Sequence, residues 1–127
     1  MITHHELCFG CGQANLFGLQ LELARDGDRV TGRFFAKQDH QGPPGVVHGG
    51  IVATALDEAM ALLVHDSDIN ALTRRLEVDL LRPAPIGTFL NVSAWIANEL
   101  TLEAELEADG RVVARGRGVF VRVRGDA

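Results

Sequence analysis

The 127-residue chain lacks several features that would assign it to a large class of proteins. It has 12 Lys and Arg against 17 Asp and Glu, and its formal net charge of −5 argues against nucleic acid as a partner. No apolar run reaches the roughly 20 residues that a membrane span requires, because Asp57 and Glu58 interrupt the best candidate. The first residues lack the basic-then-apolar pattern of a secretory signal. We therefore expect a soluble cytoplasmic protein with no membrane and no nucleic-acid partner.

Cysteine is also scarce. Cys8 and Cys11 form one Cys-x-x-Cys pair, with His4 and His5 just upstream. Thiolate and imidazole are good zinc ligands, but this cluster is short and no second Cys-x-x-Cys follows it. We favour reduced thiols that pack the N-terminal arm against the domain, and we expect no metal and no organic cofactor. Zinc binding by these four residues remains an open alternative.

The spacing of apolar residues predicts six strands and one helix. Residues 19–25 and 29–36 alternate between apolar and polar positions around an Asp-Gly-Asp turn, which predicts a hairpin. Residues 39–47 hold several glycines and prolines and predict a loop. Residues 50–64 favour a helix without a wide polar face, so we expect protein on all its sides. Four alternating strands follow, the last over residues 111–123.

This order of elements predicts an α+β hotdog fold. A long helix that is apolar nearly all round must be covered, and a curved antiparallel sheet of about six strands wrapped around it does so with short connections. The sequence shows no repeat, linker or second domain. We expect an N-terminal arm over residues 1–17 and a single hotdog domain over residues 18–127.

The start of the helix carries the clearest chemical signal. His48-Gly49-Gly50 begins it, and the free N–H groups and positive dipole of a helix start suit a developing negative oxygen. Asp57 follows two turns later, and a carboxylate in an apolar helix is costly unless it is paired or used. We interpret the combination as a site for acyl chemistry, with His48 orienting the loop or contacting substrate.

The same residues resemble a known family. His48-Gly49-Gly50, followed by Ala53 and Asp57, resembles the HGG-x-x-(A/S)-x-x-x-D helix start of PaaI-like hotdog acyl-CoA thioesterases. The segment ending in Arg82-Pro83-Ala84 and the late hairpin are also similar, so the resemblance covers roughly residues 18–123. The Cys8-Phe-Gly-Cys11-Gly12 segment, with Asn15 and Gly18, resembles the arm of one branch of that family.

The resemblance implies hydrolysis of an acyl-CoA substrate. It implies that the Gly49 N–H polarises the thioester carbonyl and that Asp57 acts as base or nucleophile. The family often has Asn or Gln shortly before the histidine, where this chain has Gly42 with Gln41 beside it. A Ser or Thr after the helix often helps hold the water, and Thr73 is the nearest match.

The candidate site residues fall into two groups. The catalytic candidates are Asp57, Gly49 and His48. The substrate-binding candidates are Gly50, Gln41, Gly42, Thr73 and Glu58. For Glu58 a structural role as a buried acid is the favoured interpretation, because two consecutive helical residues point about 100° apart and Asp57 has the smaller neighbours.

The separation of the two catalytic groups predicts an oligomer. Asp57 follows Gly49 by eight residues, which is roughly 12 Å along one helix. A base and an oxyanion donor must each come within about 3 Å of their targets on one substrate. We therefore expect a two-fold homodimer with antiparallel helices, in which Gly49 of one protomer faces Asp57 of the other. A homotetramer built from two such dimers stays open.

Several alternatives remain at this point. We expect desolvation to raise the pKa of Asp57, but a structural pairing of this acid with Arg74 or Arg75 would be the simpler explanation. A hotdog dehydratase acting on (R)-hydroxyacyl thioesters would use a loop histidine such as His40 with Glu58. A non-catalytic acyl-CoA-binding module would need no reactive acid at all.

Overall fold

The computed structural model describes residues 1–124. Residues 125–127, which the sequence-based prediction places in the hotdog domain, lie outside the described residues. The elements in chain order are β1 Glu22–Asp26, β2 Arg29–Phe35, a 3-10 helix Gln38–His40, α1 Gly49–Asp66, β3 Ala71–Leu80, β4 Phe89–Asn98, β5 Thr101–Ala108 and β6 Arg111–Arg122. The arm and domain boundary at residue 18 stays a prediction.

The six strands form one antiparallel sheet in the order β1-β2-β4-β5-β6-β3. Strands β1 and β3 are its edges, and α1 packs across β2, β3, β4, β5 and β6. This arrangement confirms the predicted hotdog fold, with one helix in the concave face of a curved sheet. No helix within residues 1–124 combines the length and the apolar content that a membrane crossing requires.

The core lies between α1 and the sheet. Leu56, Met60 and Leu63 of α1 are fully buried, as the absence of a wide polar face predicts. Two glycines of β6 let the helix approach closely, because a Cβ on Gly116 or Gly118 would lie 3.1 to 3.2 Å from side-chain atoms of Leu56 or Met60. The close approach fixes how the helix is rotated, and hence which way its acidic residues point.

The predicted start of the first strand is wrong by three residues. Leu19, Leu21 and Leu23 are all buried, as the alternation indicates. However, the N–H groups of Leu19 and Leu21 donate to carbonyls of the arm, at Phe9 and Gly10, with N···O distances of 2.9 and 3.0 Å. Gln20 between them has a φ of 52°, which is incompatible with a regular strand. The alternation therefore reports burial here, and the hydrogen bonds go to the arm.

Candidate active site

The start of α1 leaves one backbone amide available. His48 is the N-cap, and its Nδ1 accepts a hydrogen bond from the Gly50 N–H at 2.9 Å. The next two amides of the helix, at residues 51 and 52, donate to the His48 carbonyl at 2.9 and 3.1 Å. The Gly49 N–H has no acceptor among residues 1–124. The Gly49 amide, which is predicted to bind the oxyanion, is thus the available one at the helix start.

The loop before the helix is closed by its own hydrogen bonds and packs against the N-cap residue, His48. The Gln41 side-chain oxygen accepts from the Gly45 N–H, and the Gly42 N–H donates to the Val46 carbonyl at 2.9 Å. A Cβ on Gly42 would lie 3.0 Å from His48 Cα, so Gly42 packs directly on the N-cap residue. Gly42 therefore lies at the helix start, the Gln41 side chain is used within the loop, and substrate contacts of both residues stay predictions.

A mostly apolar cavity of about 440 Å³ opens beside the helix start. Gly49, Val52, Leu80 and Pro83 are among its lining residues, and Arg82 contributes a charge. A Cβ on Gly49 would lie 3.0 Å from Leu80 Cδ1, which shows how closely β3 approaches the helix start. The cavity can hold an apolar or thioester portion of a ligand next to the Gly49 amide.

Asp57 lies in the middle of the same helix, half-buried and facing β3. The Thr73 hydroxyl donates to its Oδ1 at 2.7 Å. Desolvation raises the pKa of Asp57 above its ordinary value, and the hydrogen bond from Thr73 opposes part of that rise. Arg75 instead pairs with Glu77 at 3.8 Å, and within residues 1–124 no cation lies within salt-bridge distance of Asp57. The alternative of an arginine pairing is therefore wrong.

Asp57 lines a second cavity, of about 620 Å³. Thr73, Ala61, Asn70 and His4 are among the other lining residues. Ala61, one helical turn after Asp57, is small enough to leave the carboxylate open to this cavity. Gly49 does not line it, so a single chain keeps the amide and the acid in separate cavities.

Glu58, the next residue along the helix, faces the N-terminal arm. It is 8% exposed, and its Oε2 lies 2.9 Å from His4 Nδ1 and 3.4 Å from Cys8 Sγ. The hydrogen bond between His4 and Glu58 raises the pKa of His4 to about 9, although the burial of His4 opposes the rise. Burial would raise the pKa of Glu58, but the hydrogen bonds from His4 and the cysteine thiols lower it overall. Glu58 does not line the Asp57 cavity, and a substrate contact for it stays a prediction.

Two histidines have positions that the sequence did not reveal. His4, 54 residues before Glu58, contributes to the wall of the Asp57 cavity. His40 is 1% exposed, and its Nδ1 accepts from the Lys37 N–H at 3.0 Å, while its Nε2 lies 3.4 Å from the Gly18 carbonyl. His40 therefore reaches neither cavity, which removes the base that the dehydratase alternative requires.

With this geometry in view, comparison with known proteins identifies the family. Residues 44–99, which include the helix start and Asp57, match the model of the thioesterase superfamily. "Putative esterase VNG_1336C" of Halobacterium salinarum is 32% identical over 131 residues, and the match covers 91% of this chain and 87% of that protein. The chain belongs to the thioesterase superfamily.

Solved structures share the fold of this chain. A phenylacetic acid degradation-related protein from Ralstonia eutropha JMP134 superposes with a TM-score of 0.74 at 25% identity, covering 80% of this chain and 84% of that one. The E. coli PaaI protein gives a TM-score of 0.76 at 21% identity, covering 88% and 87%. The predicted PaaI-like resemblance is thereby confirmed.

Proposed function

We propose that this protein hydrolyses acyl-CoA thioesters to a free acid and CoA, with Asp57 as the general base and the Gly49 N–H as the oxyanion donor. Membership of the superfamily supports thioester hydrolysis in general. The observation that carries the finer proposal is that one helix presents two polar groups whose bonding capacity is not fully satisfied. One is the Gly49 amide, which has no acceptor among residues 1–124, and the other is the desolvated carboxylate of Asp57, which has no salt-bridge partner there and feels the charge of His4 only at longer range.

In the proposed reaction Asp57 takes a proton from water as the water oxygen attacks the thioester carbonyl carbon. The hydroxyl of Thr73 donates a hydrogen bond to Asp57 Oδ1, so the other carboxylate oxygen, Oδ2, is the one that receives the proton. The carbonyl oxygen becomes negative and accepts a hydrogen bond from the Gly49 N–H. When the intermediate collapses, the carbon–sulfur bond breaks and the leaving thiolate takes the proton from Asp57. His48 acts as a positioning residue, while Gly50, Gln41 and Gly42 flank the bound thioester.

We further propose that each site is completed by a second copy of the chain. The roughly 12 Å between Gly49 and Asp57 along α1, and their placement in separate cavities, support this arrangement. Two antiparallel copies of α1 related by a two-fold axis would bring the amide of one copy to the acid of the other, twice. Association of two such dimers into a tetramer stays open, and the cytoplasmic location remains a prediction from the sequence.

The free edge of the sheet supports the same dimer. In strand β3, Leu76 and Leu80 are 37% and 58% exposed. They lie on the helix side of the sheet, because Leu76 pairs with Gly118, whose Cβ position faces Met60. An exposed apolar edge strand is a liability unless it is covered. Edge-to-edge pairing of β3 with a second β3 would cover it and set the two helices side by side.

The test is complementation between two inactive variants. Asp57→Asn and Gly49→Pro are purified separately, mixed under conditions that allow subunits to exchange, and assayed for thiol release. A mixed dimer has one intact site and one doubly altered site. With random exchange the mixture should regain about a quarter of wild-type turnover. No recovery, despite subunit exchange shown by native mass spectrometry, contradicts the shared site.

Gly49→Pro removes one hydrogen-bond donor at little structural cost. Gly49 is the first residue of α1, where proline is well tolerated, and His48 before it has φ −56° and ψ 134°, which suit a residue that precedes proline. Gly49→Ala is the matched control because it keeps the N–H and adds a similar contact with Leu80. We expect a loss of about 10²- to 10³-fold in kcat for Gly49→Pro relative to Gly49→Ala.

The substrate range is established by assaying thiol release from short, medium, long and aromatic acyl-CoAs. The proposal expects turnover of at least one class by the wild-type chain. Tight binding of acyl-CoA without thiol release from any class would instead support the non-catalytic binding module, and enoyl product from a hydroxyacyl thioester would support the dehydratase.

A further inference from the structure

A cluster of four metal-binding side chains lies outside the proposed catalytic groups. One nitrogen, two sulfurs and one carboxylate oxygen all lie within 4.8 Å of one another. They come from His4, Cys8 and Cys11 of the arm and Glu58 of α1. Cys11 is fully buried and Glu58 is 8% exposed. Side chains of this kind are rarely gathered in a protein interior unless they bind something or form a closed hydrogen-bonded set.

We propose that the arm and helix α1 together bind one zinc ion, through the side chains of His4, Cys8, Cys11 and Glu58. The sequence favoured no metal and left zinc binding by His4, His5, Cys8 and Cys11 as an alternative, without Glu58. In the structure His5 is exposed and its Nδ1 accepts from the Leu7 N–H at 3.2 Å, so it points elsewhere. Glu58 takes its place from 53 residues further along the chain.

Three of the six distances between the four ligand atoms are close to the edges of a tetrahedral site. With Zn–S bonds of about 2.3 Å and Zn–N or Zn–O bonds of about 2.0 to 2.1 Å, sulfur-to-nitrogen and sulfur-to-oxygen edges of a tetrahedron measure roughly 3.6 Å. Both cysteine sulfurs lie 3.6 Å from His4 Nδ1, and Cys8 Sγ lies 3.4 Å from Glu58 Oε2. The 2.9 Å between His4 Nδ1 and Glu58 Oε2 must open by about half an ångström, which a small rotation of the Glu58 side chain allows.

The backbone around the cysteines is shaped for a carboxylate to enter. A Cβ on Gly10, between the two cysteines, would overlap the carboxyl group of Glu58. The loop closes through a hydrogen bond from the Gly12 N–H to the Cys8 carbonyl at 2.8 Å. The His4 N–H donates to Cys11 Sγ at 3.1 Å, a bond that stabilises a thiolate ligand. The arm therefore leaves space for the acid and already supports one of the sulfurs.

The donor set selects the metal. Two sulfurs exclude magnesium and calcium, which prefer oxygen, and a tetrahedral set of sulfur, nitrogen and oxygen suits zinc. Four protein ligands leave no open position for water, which is the pattern of a structural site. A zinc ion there would fasten the arm to α1 and fix His4 in the wall of the Asp57 cavity. This inference does not depend on the proposed hydrolysis, because it would stand with a catalytically silent protein.

Cobalt is the probe, because tetrahedral Co²⁺ bound to thiolates has intense visible bands and near-ultraviolet sulfur-to-metal bands. The full chain, without an affinity tag and kept reduced, is stripped with a chelator and titrated with Co²⁺ and then with Zn²⁺. We expect one equivalent of cobalt with both sets of bands, displaced by one equivalent of zinc. A folded, reduced chain that develops no sulfur-to-cobalt band overturns the proposal, as does isolation of the chain with a Cys8–Cys11 disulfide that resists reduction.

Three variants assign the ligands. Cys8→Ser should weaken cobalt binding by at least about 100-fold and reduce the sulfur-to-cobalt bands, since it removes a direct ligand. Glu58→Gln retains both cysteines, so it should keep the sulfur-to-cobalt bands but weaken cobalt binding by at least about 10-fold. His5→Ala is the matched control and should bind as the wild-type chain does. Equal binding by Glu58→Gln and wild type, or an equal loss in His5→Ala and Cys8→Ser, overturns the ligand assignment even if Cys8→Ser proves unstable.

Discussion

Asp57 and Glu58 are neighbours in one helix, and their hydrogen-bond partners, their exposure to a cavity and the directions of their pKa shifts differ. Asp57 faces an open cavity, accepts one hydroxyl hydrogen bond and has its pKa raised by desolvation. Glu58 faces the arm, contacts a histidine and a thiol, and has its pKa lowered overall. A rotation of about 100° about the helix axis separates the two environments.

The difference supports the proposed assignment of Asp57 as the reactive acid and Glu58 as a structural one. A carboxylate that is poorly compensated is more basic and is free to move a proton. A carboxylate that is fully satisfied holds its neighbours in place. The comparison therefore predicts opposite consequences when each acid is replaced by its amide.

The largest expected effect is on turnover in Asp57→Asn. Removing the base should reduce kcat by about 10²- to 10⁴-fold, while the free energy of unfolding at pH 7 should not fall, because a desolvated charge is removed. Thiol release and urea denaturation measure the two quantities. Asp28→Asn, in the exposed turn between β1 and β2, is the matched control. Turnover near that of the control would reject Asp57 as the base.

A smaller effect is expected where Thr73 orients the acid. Thr73→Val removes the hydroxyl at nearly constant volume and should lower kcat by about 10-fold, because the Asp57 carboxylate is then free to rotate out of the position that the attack requires. Thr73→Ser should recover most of that loss, with KM similar in both variants. A defect that raises KM alone, or that serine does not rescue, would indicate a different role for Thr73.

Glu58→Gln should act on stability. The amide cannot match the charge-assisted hydrogen bond to His4, so in metal-free protein we expect a loss of about 1 kcal/mol in the free energy of unfolding. Urea denaturation in the presence of a chelator measures it, with Asp57→Asn as the comparison. If both amide variants shift the midpoint in the same direction by similar amounts, the contrast between the two acids is wrong.

The smallest effect is expected for His40, because burial is the main cause of its pKa shift and the residue lies outside both cavities. Burial lowers the pKa of His40 below 6.5, Lys37 lowers it further, and the Gly18 carbonyl and Asp39 oppose the change. The unfolded chain then binds more protons just below pH 6.5, so this residue makes the protein less stable as the pH falls through that window. The loss of stability between pH 7.5 and 5 should be smaller in His40→Gln than in wild type. Identical pH dependence would show that His40 carries no such shift.

Much of the fold was predictable because its signals are local. The all-round apolar helix was predicted over residues 50–64 and is found at Gly49–Asp66, and the alternating segments became strands. The first strand was misplaced because alternation reports which side chains are buried. It does not report whether the backbone of residues 19–21 bonds to a strand or to the arm.

The site was predictable only where its residues are close in sequence. The helix start and Asp57 follow from one motif. The hydrogen bond between Thr73 and Asp57 depends on the register of β3, which shifts after Thr73, and no local pattern gives that register. The contact between Glu58 and His4 joins residues 54 positions apart and depends on the fold of the whole arm.

His4 belongs both to the cluster that it forms with Cys8, Cys11 and Glu58 and to the wall of the Asp57 cavity. The space beside Asp57 is thus bounded by a segment that belongs neither to α1 nor to the sheet. Insertions or replacements upstream of Cys8 could then alter which acyl groups are accepted while the hydrolytic machinery stays constant. Under the proposed function, the arm can therefore influence substrate choice without any change in α1.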